Sequence, residues 1–241
     1  LKLSFSLDIV GMERLTIGSS DGVQLAATVF RPAAACADAA MTGIGIVLSH
    51  PHTKFGGSAQ LMQGMAREIT TKYSLPSVAF DWRGAGRSEG SSSWFGSSGE
   101  IDDCLAVCAW AVEKLPAPRG CVLVGSSGGA PIAGAAAATA GAEVIAYVGI
   151  GYCFGFLTSF LWGHHYQPLL SWPKPKLFIM GSNDEHTSVS QLEAKVASAT
   201  GVTEQFIVEG VGHYQLEQSS YDPLMGEQIV NFTRKVASGS Q

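Results

Sequence analysis

The chain has 241 residues, of which 46% are hydrophobic and 15% charged, and it carries a net charge of −5. That length gives room for one large core, and the apolar balance calls for elements buried on both faces. An acidic chain with no Lys/Arg cluster argues against nucleic acid as a partner, because phosphate binding needs a basic surface.

Residues 13–17 and 24–30 predict two strands about the turn Ser19-Ser20-Asp21-Gly22, a hairpin signal. The run 43–49 predicts a fully buried parallel strand ending at His50-Pro51-His52. Residues 58–72 carry helical apolar spacing at Leu61, Met65 and Ile69, with Ser58 as the expected N-cap. A strand over 77–80 leads into the loop Asp81-Trp82-Arg83-Gly84-Ala85-Gly86-Arg87-Ser88. A helix over 101–115 stops at Pro116-Ala117-Pro118. Further strands are expected over 121–124, 144–149, 176–181 and 203–208, with helices after 129 and over 188–199 and 221–236. Strands alternating with helices predict an α/β chain whose sheet of about eight strands is mostly parallel and covered on both faces. Residues 1–241 read as a single domain, with 151–171 as a short aromatic insert.

Between Gly120 and Pro173 the only Asp, Glu, Lys or Arg is Glu143. Glycines at 125, 128, 129, 141, 149 and 151 and Pro131 interrupt this stretch. No unbroken run of about 20 apolar residues survives, so a membrane span is not expected. Cysteines at 36, 104, 108, 121 and 153 form no C-x-x-C pair. Their odd count and irregular spacing predict reduced thiols and a cytoplasmic setting. Residues 1–8 lack the apolar core of a signal peptide.

A short apolar run, Cys121 to Val124, stops at Gly125-Ser126-Ser127-Gly128-Gly129, and an Ala-rich helical pattern follows. This is the strand, sharp turn and helix of a nucleophile elbow, G-x-S-x-G. Such a turn strains the serine backbone and leaves no room for bulk two positions to either side. Gly125 and Gly129 meet that need around Ser127, whereas Ser126 would have Val124 and Gly128 there. The chain has 29 glycines, so a chance match must be weighed. The flanking strand and helix count against it.

In a parallel sheet, functional groups gather at the carboxyl ends of the strands. Ser127 follows the fifth predicted strand, Asp184 the seventh and His213 the eighth. A serine hydroxyl is a poor nucleophile until a base takes its proton, and an imidazole titrating near neutral pH can take it. Asp184 would hold the tautomer of His213 and stabilise its imidazolium. Alone, Asn183-Asp184 would read as turn chemistry. Of the other histidines, His186 lies too near Asp184 in sequence to face it, and His164 and His165 fall in the insert. The oxyanion of an acyl-transfer intermediate needs N–H groups already aimed at it. The expected donors are the backbone of Gly128 and of His52, with Thr53 as the alternative. His50 and His52 have no carboxylate or thiol at ligand spacing, so no metal is expected.

His50-Pro51-His52 with Gly56-Gly57, the stretch from Phe80 through Gly90, Gly99-Glu100-Ile101-Asp102-Asp103 and the elbow together resemble the small lidless α/β-hydrolases. The likeness is to the dienelactone-hydrolase-like serine esterases and runs from about Glu13 to the C-terminus. It implies an α/β-hydrolase fold with a minimal lid, a Ser127–Asp184–His213 triad, no cofactor, and hydrolysis of carboxylic esters or thioesters. Two features depart from the family. Ser126 and Gly128 are small where relatives often carry bulk, which implies a wider elbow. Dienelactone hydrolases proper use cysteine where this chain has Ser127.

Arg83 and Arg87 read as loop-holding residues paired with Asp81, Glu89 or Glu100, rather than as carboxylate binders. Phe154, Phe156, Phe160 and Trp162 of the insert are candidates for lining an apolar substrate pocket. Packing over the sheet edge is an equal explanation for them. Against a small-molecule ester hydrolase stand two rivals. One is a ligand-binding receptor that keeps the fold without turnover. The other is a peptidase, ranked last because no peptide-gating second domain is legible.

Overall fold

The computed structural model describes residues 11–93, 97–155 and 166–239. Strands β1 (Gly11–Gly18) and β2 (Gln24–Arg31) form the hairpin, and Gly22 turns it at φ +89°. Then come β3 (Ile44–Ser49), β4 (Ser77–Phe80), β5 (Gly120–Ser126), β6 (Val144–Ile150), β7 (Lys176–Gly181) and β8 (Thr203–Val208). They make one eight-stranded sheet in the order β1-β2-β4-β3-β5-β6-β7-β8. β2 runs antiparallel to β1 and β4, and every other pairing is parallel.

Alternation along the strands divides the apolar runs between two cores. On β5, Cys121 and Leu123 face one core, and Val122 and Val124 face the other. Helices α1 (Gln60–Tyr73) and α6 (Asp222–Ser238) cover the second core through Met62, Met65, Ile69, Met225 and Ile229. The first is covered by α2 (Ser98–Lys114), α3 (Ala130–Thr139), α4 (Tyr166–Ser171) and α5 (Val189–Ser198). α3 is buried almost all round, as suits a helix of alanine and glycine. A Cβ on its Gly134 would come within 2.7 Å of Leu169, so α4 packs close because that side chain is missing.

Several local expectations change. Ser58 does not cap α1; the helix begins at Gln60, and Ala59 before it makes no side-chain cap. Asp81, at the end of β4, instead accepts a 2.8 Å bond from the Ala59 N–H. Arg83 does not pair with Asp81, Glu89 or Glu100. It binds Asp103, whose side chain is wholly buried, at 2.7 Å, and Asp21 at 2.8 Å. Asp81 is already taken by Ala59, and Glu100 accepts from the Ser93 N–H. None of the ion pairs among the described residues includes Arg87. α4 is a helical turn inside the stretch read as insert. Among the described residues no helix is long and apolar enough to cross a membrane.

Candidate active site

The elbow forms at the carboxyl end of β5. Ser127 has φ +51°, a left-handed conformation that L-residues seldom adopt. A Cβ at Gly125 would lie 2.8 Å from Ala130 and Ala133 of the following helix. A Cβ at Gly129 would lie 1.9 Å from the His50 carbonyl oxygen. The two glycines therefore let the turn press against both α3 and the loop that follows β3.

The Ser127 Oγ lies 2.7 Å from His213 Nε2. Nδ1 of the same ring lies 2.7 Å from Asp184 Oδ2. An ionised carboxylate only accepts, so Nδ1 carries the proton and donates, leaving Nε2 to accept from the serine hydroxyl. The side chains of His213 and Asp184 are 2% and 1% exposed. Burial pushes the Asp184 carboxyl up, but the His213 hydrogen bond and charge outweigh it. The backbone N–H groups of His186 and Thr187 add to them, and the acid is held below its ordinary range.

Backbone lacing brings these loops together. Asn183 N–H donates to the Val211 carbonyl at 2.9 Å, and Gly210 N–H to Ser182 Oγ at 2.8 Å. A Cβ on Gly181 would sit 2.1 Å from the Val211 carbonyl, so the chains touch backbone to backbone. Thr187 joins Asp184 to the segment after β6: it donates to the Tyr152 carbonyl and accepts from Phe154 N–H. In that segment Gly151 takes φ +56°, and its missing Cβ would meet the His213 ring at 3.0 Å.

His50 is committed within the protein through both ring nitrogens. Nδ1 donates to the Pro51 carbonyl at 2.6 Å, and Nε2 accepts from Trp82 N–H at 3.2 Å. Its ring packs on Trp82 with centroids 4.4 Å apart. Burial lowers its pKa to about 4, so it is neutral near pH 7. His52 is buried at the start of the turn over 53–55, and its Nδ1 accepts from Lys54 N–H. Phe154 is buried and stacked on Tyr152 at 4.2 Å, against Phe178 and Tyr166. Phe156, Phe160 and Trp162, like His164 and His165, lie outside the described residues.

Sequence reading passed over several residues around this site. Glu185 accepts the His213 N–H at 2.9 Å. His186, set aside as a base, packs edge-on against the His213 ring at 4.5 Å and hydrogen-bonds Tyr214. Trp82 donates to Ser49 Oγ and packs on His50. Burial raises the Glu217 carboxyl above its ordinary range, while the charge of His213 and the Ser127 hydroxyl pull it down. Its position four residues after His213, next to buried Leu216, was the signal available for it.

The architecture is the α/β-hydrolase fold. An α/β serine hydrolase homologue from Coxiella burnetii shares 23% identity at a TM-score of 0.72, covering 91% of this chain and 96% of its own. A lidless α/β serine hydrolase from Xanthomonas campestris shares 21% at 0.71, covering 93% and 94%. An esterase from Pyrococcus furiosus shares 17% at 0.71, covering 94% and 93%. No family model and no curated protein matches the sequence.

Proposed function

We propose that residues 1–241 form a single-domain serine hydrolase that cleaves small carboxylic esters or thioesters through an acyl-enzyme. The observation that carries this reading is the linear relay Ser127 Oγ–His213 Nε2 and His213 Nδ1–Asp184 Oδ2, 2.7 Å at each link. Ser127 attacks the carbonyl carbon while its proton passes to His213 Nε2. Asp184 stabilises the imidazolium. The backbone N–H groups of Gly128 and His52 hold the oxyanion; the contact of Gly129 with the His50 carbonyl supports their convergence, because it clamps the β3 loop to the elbow. His213 then protonates the leaving alcohol or thiol. No cofactor takes part, and Phe154, Phe156, Phe160 and Trp162 are the candidates for contacting the acyl group. The enzyme works in the cytoplasm, in keeping with five cysteines that form no disulfide.

The test is labelling with a fluorophosphonate probe, followed by turnover of p-nitrophenyl esters of graded chain length. The expected result is labelling that maps to Ser127 and is lost with turnover in Ser127→Ala. An unlabelled Ser127, or unchanged turnover in that variant, overturns the reading.

A further inference from the structure

Hydrolysis has a second half, in which His213 acts as base again. The acyl group on Ser127 must be attacked by water, and His213 can hold only one of that water's two hydrogens. A second acceptor beside His213 would aim the oxygen at the carbonyl by holding the other hydrogen. Glu217 has the required placement. It follows His213 by one short turn, and its side chain bounds a small cavity together with Ser126, the residue before the nucleophile. Its Oε1 is sealed from solvent and meets no hydrogen-bond partner among the described residues. A buried carboxylate oxygen normally has one, because an unsatisfied charged acceptor is costly.

Two cavities meet at this side chain. One, of about 10 Å³, is bounded by Glu217, Ser126, Pro51, Leu61, Leu216 and Asp222. That is near the smallest volume that holds a single water, roughly 10–15 Å³. The other is an open cleft of about 810 Å³ that Glu217 also lines, with Gln60, Gln218 and Ser219. The Glu217 side chain therefore stands between an open cleft and a water-sized cavity.

We propose that Glu217 is the residue that positions the deacylating water, a role that rests on the acyl-enzyme reading above. Water lies between Glu217 and His213. One hydrogen bonds to the carboxylate and stays on the oxygen; the other passes to His213 Nε2 as the oxygen attacks the acyl carbon. The tetrahedral intermediate then breaks its bond to Ser127 Oγ, which takes the proton back from Nε2. The carboxylic acid leaves, and Glu217 ends as it began.

The experiment separates the two halves of the reaction. Wild type, Glu217→Gln and Glu217→Met are mixed with p-nitrophenyl acetate in a stopped-flow instrument, and acetyl-enzyme is followed by quench and intact mass. The expected result is a stoichiometric burst in both variants at a near wild-type acylation rate. Acetyl-enzyme decay is then slowed roughly ten- to hundred-fold, the loss of one charged hydrogen bond. Added hydroxylamine, a stronger nucleophile, restores turnover. Decay at the wild-type rate, or acylation and deacylation slowed equally, overturns the role of Glu217 while leaving the serine-hydrolase reading intact. Absence of a burst and of fluorophosphonate labelling in the wild type removes that reading, and this role with it.

Discussion

Single side chains at this site are held by more than their direct partners. Asp184 fixes His213 in the tautomer that leaves Nε2 free to accept. Asp184→Asn would donate to Nδ1 and favour the opposite tautomer, so kcat should fall roughly 10³- to 10⁴-fold with little change in fold. Steady-state kinetics beside a thermal melt would check this, and a loss under ten-fold would refute the assignment. Gly151 is the subtler case. It takes φ +56°, and its missing Cβ leaves room for the imidazole at 3.0 Å. Gly151→Ala adds backbone strain of about 1–3 kcal/mol and pushes on the ring. Turnover should drop by more than stability alone explains, measured as kcat on the fraction that stays folded. Neither the role of Gly151 nor that of Glu217 can be read from a neighbouring motif, because both depend on atoms far away in the chain. Ser127 was legible, since its two flanking glycines stand beside it in the sequence.

Among the elements, what matters is which loop ends are tied to which helices. Asp81 closes β4 and at the same time accepts from Ala59 N–H at the start of α1. Asp81→Ala should cost about 1 kcal/mol, the usual worth of an N-terminal cap, read as a shifted urea midpoint. Arg83 bridges the β1–β2 turn to α2 through Asp21 and the buried carboxylate of Asp103. Asp103→Asn leaves a mostly buried guanidinium with a neutral partner, and the loss should be about 3 kcal/mol. Asp21→Asn should cost far less, because that carboxylate is half exposed. Equal losses in the two variants would show that burial of the Asp103 end adds nothing to the bridge. The element boundaries were mostly legible from periodicity and turn chemistry. The partners of Asp81 and Arg83 were not, because pairing between loops depends on the strand order β2-β4-β3.

Across the whole molecule, acid should loosen the rim that carries the site. His50 and His52 are buried, and both have pKa values lowered to about 4, chiefly by burial. Unfolding restores the ordinary value near 6.5, so between about pH 6.5 and 4 the unfolded chain binds more protons. Their contribution is complete above pH 6.5 and falls as pH drops through that window, by up to about 1.4 kcal/mol per unit for each ring. Asp222 acts in the opposite sense. Burial, with Glu68 nearby, raises it to about 6. The folded state thus holds the extra proton between about pH 6 and 3.8, which offsets part of the loss. Urea titrations from pH 7 to 4.5 should show falling stability, and Asp222→Asn should steepen the fall. A flat profile would contradict the placement of these rings in the core.

The sequence by itself determined the order of strands and helices, the covered parallel sheet and the elbow serine. Each of these is written in local periodicity and in glycine spacing. It also marked Asp184 and His213, because the ends of successive strands are where a parallel sheet exposes chemistry. Only the tertiary structure decided the relay geometry, the partner of Arg83 and the cap of α1. Those depend on distances between residues from 20 to 86 positions apart in the chain, set by packing and strand order, and no local pattern encodes them.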